Sequence, residues 1–216
     1  MAKTIGVLGS GDVGVSLANG FANHGYDVMI GSNTTSKFAA LKEKTGGKVR
    51  VGTFADTARH GDLLALAVKG LAAEDTIRGI DSGILAGKVV IDATNPIADA
   101  PPTNGVIRYF TGPNESLLER LQTAAADVRF VKAFSCVGNT FMVNPQFGGV
   151  KPTMFICGND EQAKRDVTGL LTVFGWETED MGKVEAARAI EPLAMLWCIP
   201  GFLRNDWSHA FALLKK

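Results

Sequence analysis

Three glycines at a fixed spacing, Gly9, Gly11 and Gly14, follow directly on the short apolar run at residues 5–8. Such a run is typical of a strand that is buried on both faces, and the residues after Gly14 have the period of an amphipathic helix. A G-x-G-x-x-G loop between a strand and a helix allows a tight turn, leaves open space above the loop and lets helix and strand pack closely. The pattern predicts a βαβ unit whose loop can receive a pyrophosphate, and the alternative is a tight turn that binds nothing.

Short apolar runs alternate with helix-like segments as far as about Asp180. This alternation is typical of an α/β fold, a Rossmann-type, doubly wound and mainly parallel sheet with helices on both faces. We predict about eight strands, at residues 4–8, 27–31, 48–52, 62–68, 88–92, 128–134, 153–157 and 176–180.

The domain organisation follows from the same pattern. We predict a nucleotide-binding Rossmann domain over residues 1–182 and a short C-terminal helical extension over residues 183–216. The extension is unusually apolar, so we expect it to be buried against the same domain or across a dimer interface. Residues 98–113 are rich in Pro, Gly and Asn and should form a long loop, and long loops in compact domains are often functional.

Composition excludes several classes of partner. Lys plus Arg and Asp plus Glu both number 22, so no basic field exists to attract nucleic acid or an anionic membrane. The apolar run at 194–203 is about half of the ~20 residues that a membrane span requires. Three scattered cysteines suit reduced thiols, and no leader sequence is apparent, so we expect a cytoplasmic protein.

The end of the second predicted strand indicates which dinucleotide fits. An acid there would bind the ribose 2′-hydroxyl of NAD, but this chain has no acid at that point. It offers hydroxyl and amide donors with one cation, namely Ser32, Asn33, Thr34, Ser36 and Lys37. Hydrogen bonds to a charged acceptor are the stronger ones, so the pattern favours the 2′-phosphate of NADP. An ordinary polar turn that caps the next helix is the alternative.

Three further segments carry a family resemblance: "GSN" at the end of the second strand, "VKAF" at the end of the sixth and "AARAIEPLAMLW" near the C-terminus. In order and spacing they resemble the NADP oxidoreductases of the coenzyme F420-dependent type. That family includes F420H2:NADP oxidoreductases and the cytosolic oxidoreductase domain of six-transmembrane metalloreductases. The resemblance extends from Ile5 to about Trp197, and it implies a Rossmann domain whose C-terminal extension pairs two subunits as a homodimer.

The resemblance also implies the cofactor-binding residues. The pyrophosphate would be held by Gly9, Ser10, Gly11, Asp12 and Val13, while Gly14 packs the helix on the strand, and the 2′-phosphate would be held by Ser32, Asn33 and Lys37. The adenosine-ribose side would be lined by Ala67, Val68 and Lys69. The nicotinamide ribose would lie beside Asn95 and Pro96, and the nicotinamide ring near Phe134 and Ser135. Two positions depart from the family, because many relatives have Arg at Asn33 and Asn at Ser135. Lys69 could equally be a solvated cation.

Hydride transfer between two ring systems needs binding and orientation more than reactive side chains. We therefore predict no catalytic residue and no metal site. His24 and His60 should end helices, and His209 should lie in a last helix facing solvent or a second subunit. Cys136 should serve packing. The resemblance also places Thr94 beside the nicotinamide ribose, and Asp92 should be structural.

The predicted enzyme is an NADP-dependent oxidoreductase with F420, FMN or a similar small molecule as its second substrate. A flat apolar slot for that substrate could be built by a set of apolar residues that could also be core: Phe134, Phe141, Met142, Pro145, Phe147 and residues 197–202. An imine or hydroxyacid dehydrogenase is a weaker candidate, since few residues follow the last strand. The alternative outside enzymology is a sensor that binds NADP without turnover.

Overall fold

Six of the predicted strands pair in parallel in one sheet. The structure, a computed structural model, describes residues 4–216. The strand order is β3-β2-β1-β4-β5-β6, so the chain winds outward in one direction from β1 and then in the other from β4. The strands are β1 Thr4–Leu8, β2 Asp27–Gly31, β3 Arg50–Gly52, β4 Leu63–Leu66, β5 Val89–Asp92 and β6 Arg129–Lys132. This arrangement confirms the predicted doubly wound α/β class.

The last two predicted strands form a pair of their own. β7 (Thr153–Ile156) and β8 (Glu177–Asp180) are parallel to each other and meet the main sheet at one antiparallel bridge between Lys132 and Cys157. The expectation of a single sheet of about eight strands is therefore wrong in this detail. Between β6 and β7 the chain forms a 3-10 turn at Asn139–Phe141 in place of the α-helix that usually connects neighbouring parallel strands.

Helices cover both faces of the sheet. One hydrophobic cluster includes Leu17 and Val167, from helices α1 and α7, and the other includes Ile77 and Leu121, from α4 and α6. The helices are α1 Asp12–Asn23, α2 Phe38–Lys44, α3 Phe54–His60, α4 Ala73–Arg78, α5 Ser82–Leu85, α6 Leu117–Ala124, α7 Glu161–Val173, α8 Ala187–Ile190 and α9 Leu193–Arg204. Short 3-10 turns lie at Thr35–Lys37, Gly70–Ala72, Asn139–Phe141 and Val184–Ala186.

The C-terminal segment is helical over only part of its predicted length. Helix α9 ends at Arg204, where Asn205 adopts a left-handed backbone conformation with φ 55°. Residues 205–216 then run back without helix, and the Thr153 N–H donates to Phe211 O at 2.8 Å. The predicted last helix carrying His209 is therefore wrong, because packing of the reversed chain against α9 and β7 replaces it.

The stretch Val184–Arg204 as a whole is longer than the apolar run considered above. Among residues 4–216 it is the one helical stretch long and apolar enough to cross a membrane, and its most apolar 18-residue window has a mean hydropathy of 1.2 and is one-third buried in the fold. Length and composition alone are weak evidence for a membrane span, and buried helices often meet the same criteria. The expectation of no membrane partner stays a prediction.

Candidate functional site

A crevice of about 650 Å³ opens at the carboxyl ends of β1, β2 and β4. The strand order reverses between β1 and β4, and ligands of open α/β sheets bind at this switch point. The structure brings together there many of the residues predicted to bind the cofactor: Gly9, Ser10, Gly11, Asp12, Val13, Ser32, Asn33, Lys37, Ala67, Val68 and Lys69.

The three glycines of the loop have three different surroundings. A Cβ on Gly9, whose φ is +144°, would lie 2.2 Å from Ala67 O, and a Cβ on Gly14 would lie 2.0 Å from Gly9 O. These two positions allow no side chain, because the strand, loop and helix touch there. A Cβ on Gly11 would meet nothing within 4 Å. Gly11 therefore leaves free space above the loop, as a pyrophosphate site requires.

Helix α1 begins in this crevice with its N-terminus uncapped by a side chain. Gly11 is the N-cap residue and has no side-chain hydrogen bond to the first turn, so the first N–H groups stay available to an anion. Asp12 is the one carboxylate in the described lining of the crevice, against the cations Lys37 and Lys69. The side chains of both lysines lack an ion-pair partner within residues 4–216. The described lining therefore favours an anionic ligand.

The predicted 2′-phosphate end lies after β2. Ser32 is buried, and its Oγ accepts a hydrogen bond from the Thr34 N–H at 3.1 Å, which leaves its hydroxyl proton free to donate. Asn33 and Lys37 are exposed at the mouth of the crevice. The site thus combines one fixed hydroxyl donor with two adjustable polar side chains.

The predicted nicotinamide residues lie outside this crevice, at the ends of β5 and β6. The Asn95 side-chain amide donates to Ser135 O at 2.7 Å. Asn95 Oδ1 and Ser135 Oγ are both buried and have no hydrogen-bond partner within the described residues. These two acceptors fit a ligand that brings N–H donors, such as a carboxamide. Pro96 is buried beside them.

Phe134 and the residues proposed for an acceptor slot mostly belong to the core. Phe134 has φ 62°, and its ring packs on Phe174 at 6.2 Å between centroids, so its side chain does not reach the crevice. Met142 is buried, and its carbonyl accepts from the Trp176 indole at 2.9 Å. Trp197 packs between Gly138 and Trp207. The core alternative therefore holds for these three residues.

Four lining residues were missed in the set predicted from the sequence: Phe54, Ala72, Thr76 and Ala93. Thr34, one of the donors predicted after β2, and Asn139 also line the crevice. Phe54 could have been found, since it is an aromatic residue directly after the carboxyl end of β3. Asn139 donates to Ser16 Oγ at 3.2 Å, so it holds the loop after β6 against α1. Thr76 lies on α4, and no spacing in the sequence relates it to the glycine loop.

A buried charged cluster stands behind the β5 and β6 ends. Lys132, fully buried, lies 2.6 Å from Asp92 Oδ2, 2.8 Å from Glu191 Oε1 and 2.9 Å from Thr94 O. Burial lowers the pKa of Lys132, but the two carboxylates outweigh this effect and raise that pKa above its ordinary value. Glu191 also accepts from the N–H groups of Leu117 and Leu118, which open α6. The structural role expected for Asp92 is confirmed.

Thr94 and the histidines have structural contacts. The Thr94 hydroxyl donates to Asp92 Oδ1 at 2.6 Å rather than facing the crevice. His24 Nδ1 lies 2.9 Å from Gly20 O at the end of α1, and α3 ends at His60, as predicted. His209 packs on the Trp197 ring at 5.1 Å. Burial raises the pKa of Cys136 to about 12, which keeps this thiol protonated and supports its packing role.

Comparison with known proteins supports the resemblance. Residues 4–96 match the model of the family "NADP oxidoreductase coenzyme F420-dependent". The chain is 29% identical to the F420-dependent NADP reductase of Methanothermobacter marburgensis, with 89% of each chain covered. It is 27% identical to the rat metalloreductase STEAP3, over 94% of this chain but only 39% of that longer protein.

A solved structure supports the same relation. A provisionally assigned F420-dependent NADP reductase from Arthrobacter sp. FB24 superimposes with a TM-score of 0.92 at 25% identity, with each chain fully covered. Together with the glycine-loop geometry, these matches show that the chain is similar to the NADP oxidoreductase, coenzyme F420-dependent family, whose model matches residues 4–96.

Proposed function

We propose that this chain is an NADPH-dependent reductase that transfers hydride between NADP(H) and a planar deazaflavin or flavin, F420 or FMN. The observation that carries the proposal is the crevice itself. It combines the open space above Gly11, the uncapped start of α1 and two lysines without ion-pair partners, and no carboxylate follows β2. An anionic dinucleotide with a 2′-phosphate fits this set of donors.

When bound, NADPH would supply a hydride, which carries two electrons to the acceptor ring, and one proton from water would complete the reduction of that ring. The residues of this chain bind and orient. The first-turn N–H groups of α1 would hold the pyrophosphate, and Ser32, Asn33 and Lys37 the 2′-phosphate. Asn95 Oδ1 and Ser135 Oγ would accept from the carboxamide, which would satisfy two buried atoms that have no other partner in residues 4–216.

Turnover separates this proposal from a sensor. Purified protein is incubated with NADPH and, in separate reactions, F420, FMN or a ferric chelate, and the loss of NADPH absorbance is followed, with NADH in parallel. We expect oxidation of NADPH by at least one ring acceptor and slower oxidation of NADH. Binding of NADPH with no oxidation above background would establish the sensor instead. Equal use of NADH and NADPH would contradict the role given to residues 32–37.

The location and assembly of the protein belong to the same proposal. A cytoplasmic location agrees with the balanced charge and the coenzyme.

The side chains of Leu196 and Leu203 on helix α9 are 56% and 55% exposed, and Phe202 lies beside them. We propose that a second copy of the chain covers this apolar face. Light scattering coupled to size exclusion tests it: Leu196→Glu should convert a dimer to a monomer, and a monomeric wild-type protein would contradict it.

A further inference from the structure

A second cavity, of about 570 Å³, lies between residues 103–115 and residues 188–195. We propose that it holds the hydride acceptor, in the form of an apolar ring system that carries a single phosphate or carboxylate bound by Arg108. This inference rests on the proposed function, because the acceptor matters only if NADPH is oxidised. The volume is within the range of about 300–1,000 Å³ that small-molecule sites occupy.

The cavity lies on the side of the sheet where the nicotinamide is expected. Tyr109 in its wall pairs with Ile97 in an antiparallel bridge, and the Phe110 N–H donates to Pro96 O at 2.9 Å. Paired segments lie about 5 Å apart, so the cavity wall directly adjoins the Asn95 and Pro96 segment. On its other side, Glu191 lines the cavity and contacts Lys132 at the end of β6. An acceptor in this cavity would therefore adjoin the nicotinamide end of the coenzyme, remote from the 2′-phosphate.

The charges of the lining leave one cation uncompensated. Arg120 neutralises Glu115 through two hydrogen bonds of 2.9 and 2.6 Å. Glu191 is paired with Lys132, which it shares with Asp92, and it also accepts from the N–H groups of Leu117 and Leu118. Arg188 is held by Glu119. The exposed side chain of Arg108 has no hydrogen-bond or ion-pair partner within the described residues. Because every other lining charge is paired, the ligand that complements this cavity carries one negative group.

The rest of the wall suits an apolar ring. Ile107, Pro192 and Met195 supply apolar surface, and Tyr109 adds an aromatic ring. The Tyr109 hydroxyl is already engaged, since it donates to Glu191 O at 2.7 Å. The wall therefore offers contact area rather than further polar recognition, and the single cation would set the orientation of the ring.

FMN and riboflavin test the proposal, because they share one ring system and differ by one phosphate. NADPH oxidation is measured with each flavin for the wild type, for Arg108→Gln and for Arg204→Gln. Arg204 is the matched control, an exposed arginine also without a described ion-pair partner that does not line the cavity. A charge-assisted hydrogen bond at an exposed site supports roughly a fivefold lower KM for FMN than for riboflavin in the wild type.

We expect Arg108→Gln to abolish the preference for FMN while the KM for NADPH and the KM for riboflavin stay unchanged, and Arg204→Gln to retain the preference. Equal use of FMN and riboflavin by the wild type, or a preference that survives Arg108→Gln, would overturn the assignment. A second variant, Met195→Trp, fills the cavity and should raise the KM for both flavins but not for NADPH. A Met195→Trp variant with unchanged flavin KM values would also overturn it.

Failure of the proposed function gives a different result. If none of the tested acceptors supports NADPH oxidation by the wild type, the reductase proposal fails. The cavity is then tested by quenching of flavin fluorescence at equilibrium. Tighter binding of FMN than of riboflavin, lost in Arg108→Gln, would support the cavity as a ligand site. Equal binding or no binding of the two flavins would overturn it.

Discussion

The two sides of the carboxyl edge of the sheet are held by different kinds of contact, main-chain contacts on one side and buried side-chain contacts on the other. On the β1 side, the crevice is shaped by main chain and missing side chains, with Gly9 and Gly14 in direct backbone contact and Gly11 open. On the β5 and β6 side, the edge depends on the buried side chains of Lys132 and Glu191, which are far apart in the chain. The first side is encoded by the spacing of neighbouring residues, and the second by contacts that only the complete fold creates.

The largest expected effect concerns the buried cluster. Lys132→Met leaves the carboxylates of Asp92 and Glu191 buried without their cation, and we expect it to lower the free energy of unfolding by about 3–5 kcal/mol. Urea denaturation measures the loss. The matched control is Arg50→Gln, which breaks the exposed pair with Asp27 and should cost less than about 1 kcal/mol. Equal losses in the two variants would contradict the distinction between the two sides.

In the glycine loop, by contrast, we expect a substitution at Gly11 to weaken coenzyme binding without lowering the stability of the fold. Gly11→Ala introduces a methyl group into open space, so we expect an unchanged melting temperature but an affinity for NADPH at least about tenfold lower, or about 1.4 kcal/mol. Gly14→Ala should lower the melting temperature as well, because its Cβ would collide with Gly9 O. Calorimetric titration and thermal melts of both variants check this split. Normal binding of NADPH by Gly11→Ala would contradict the assignment of the pyrophosphate site to this loop.

The sequence could predict the first side because each of its rules is local. The strand, the loop and the start of α1 lie within 20 residues of the N-terminus, and the glycine spacing alone defines the turn. The alternation of runs likewise predicted the positions of eight strands, although not that β7 and β8 pair separately. That separation depends on how the chain returns after β6, which no residue pattern specifies.

The C-terminal tail escaped prediction because its path depends on contacts that only the complete fold creates. The run after Arg204 has apolar residues that suit a helix, but Asn205 turns the chain and Trp207 packs against Gly201, so the tail folds back. The Trp197 indole then donates to His209 O at 2.8 Å. Only contacts between these distant residues outweigh the local preference for helix.

Discrimination between the two coenzymes should show a smaller effect. Lys37→Gln removes the cation at the predicted 2′-phosphate site, so we expect the ratio of NADPH to NADH affinity to fall by about three- to tenfold. Lys69→Gln is the matched control, since this lysine follows β4 and should weaken both coenzymes alike. Asn33→Arg should raise the ratio by supplying the guanidinium fork that many relatives carry. A ratio that Lys37→Gln leaves unchanged would contradict the 2′-phosphate site.

The smallest expected effect concerns Arg188, which lies three residues before Glu191 and provides an exposed link beside the buried one. Arg188 hydrogen-bonds Glu119 and lowers the pKa of that carboxyl below its ordinary value. A lowered pKa means that the stabilisation is present above the ordinary pKa of Glu119 and disappears as the pH falls through the lowered value. Arg188→Gln should therefore cost less than about 1 kcal/mol at neutral pH, and its difference from the wild type should vanish in acid. Urea denaturation over a series of pH values from neutral into acid measures both quantities. A difference that does not decrease at any pH would show that Arg188 acts through packing rather than charge, as its aliphatic stem allows.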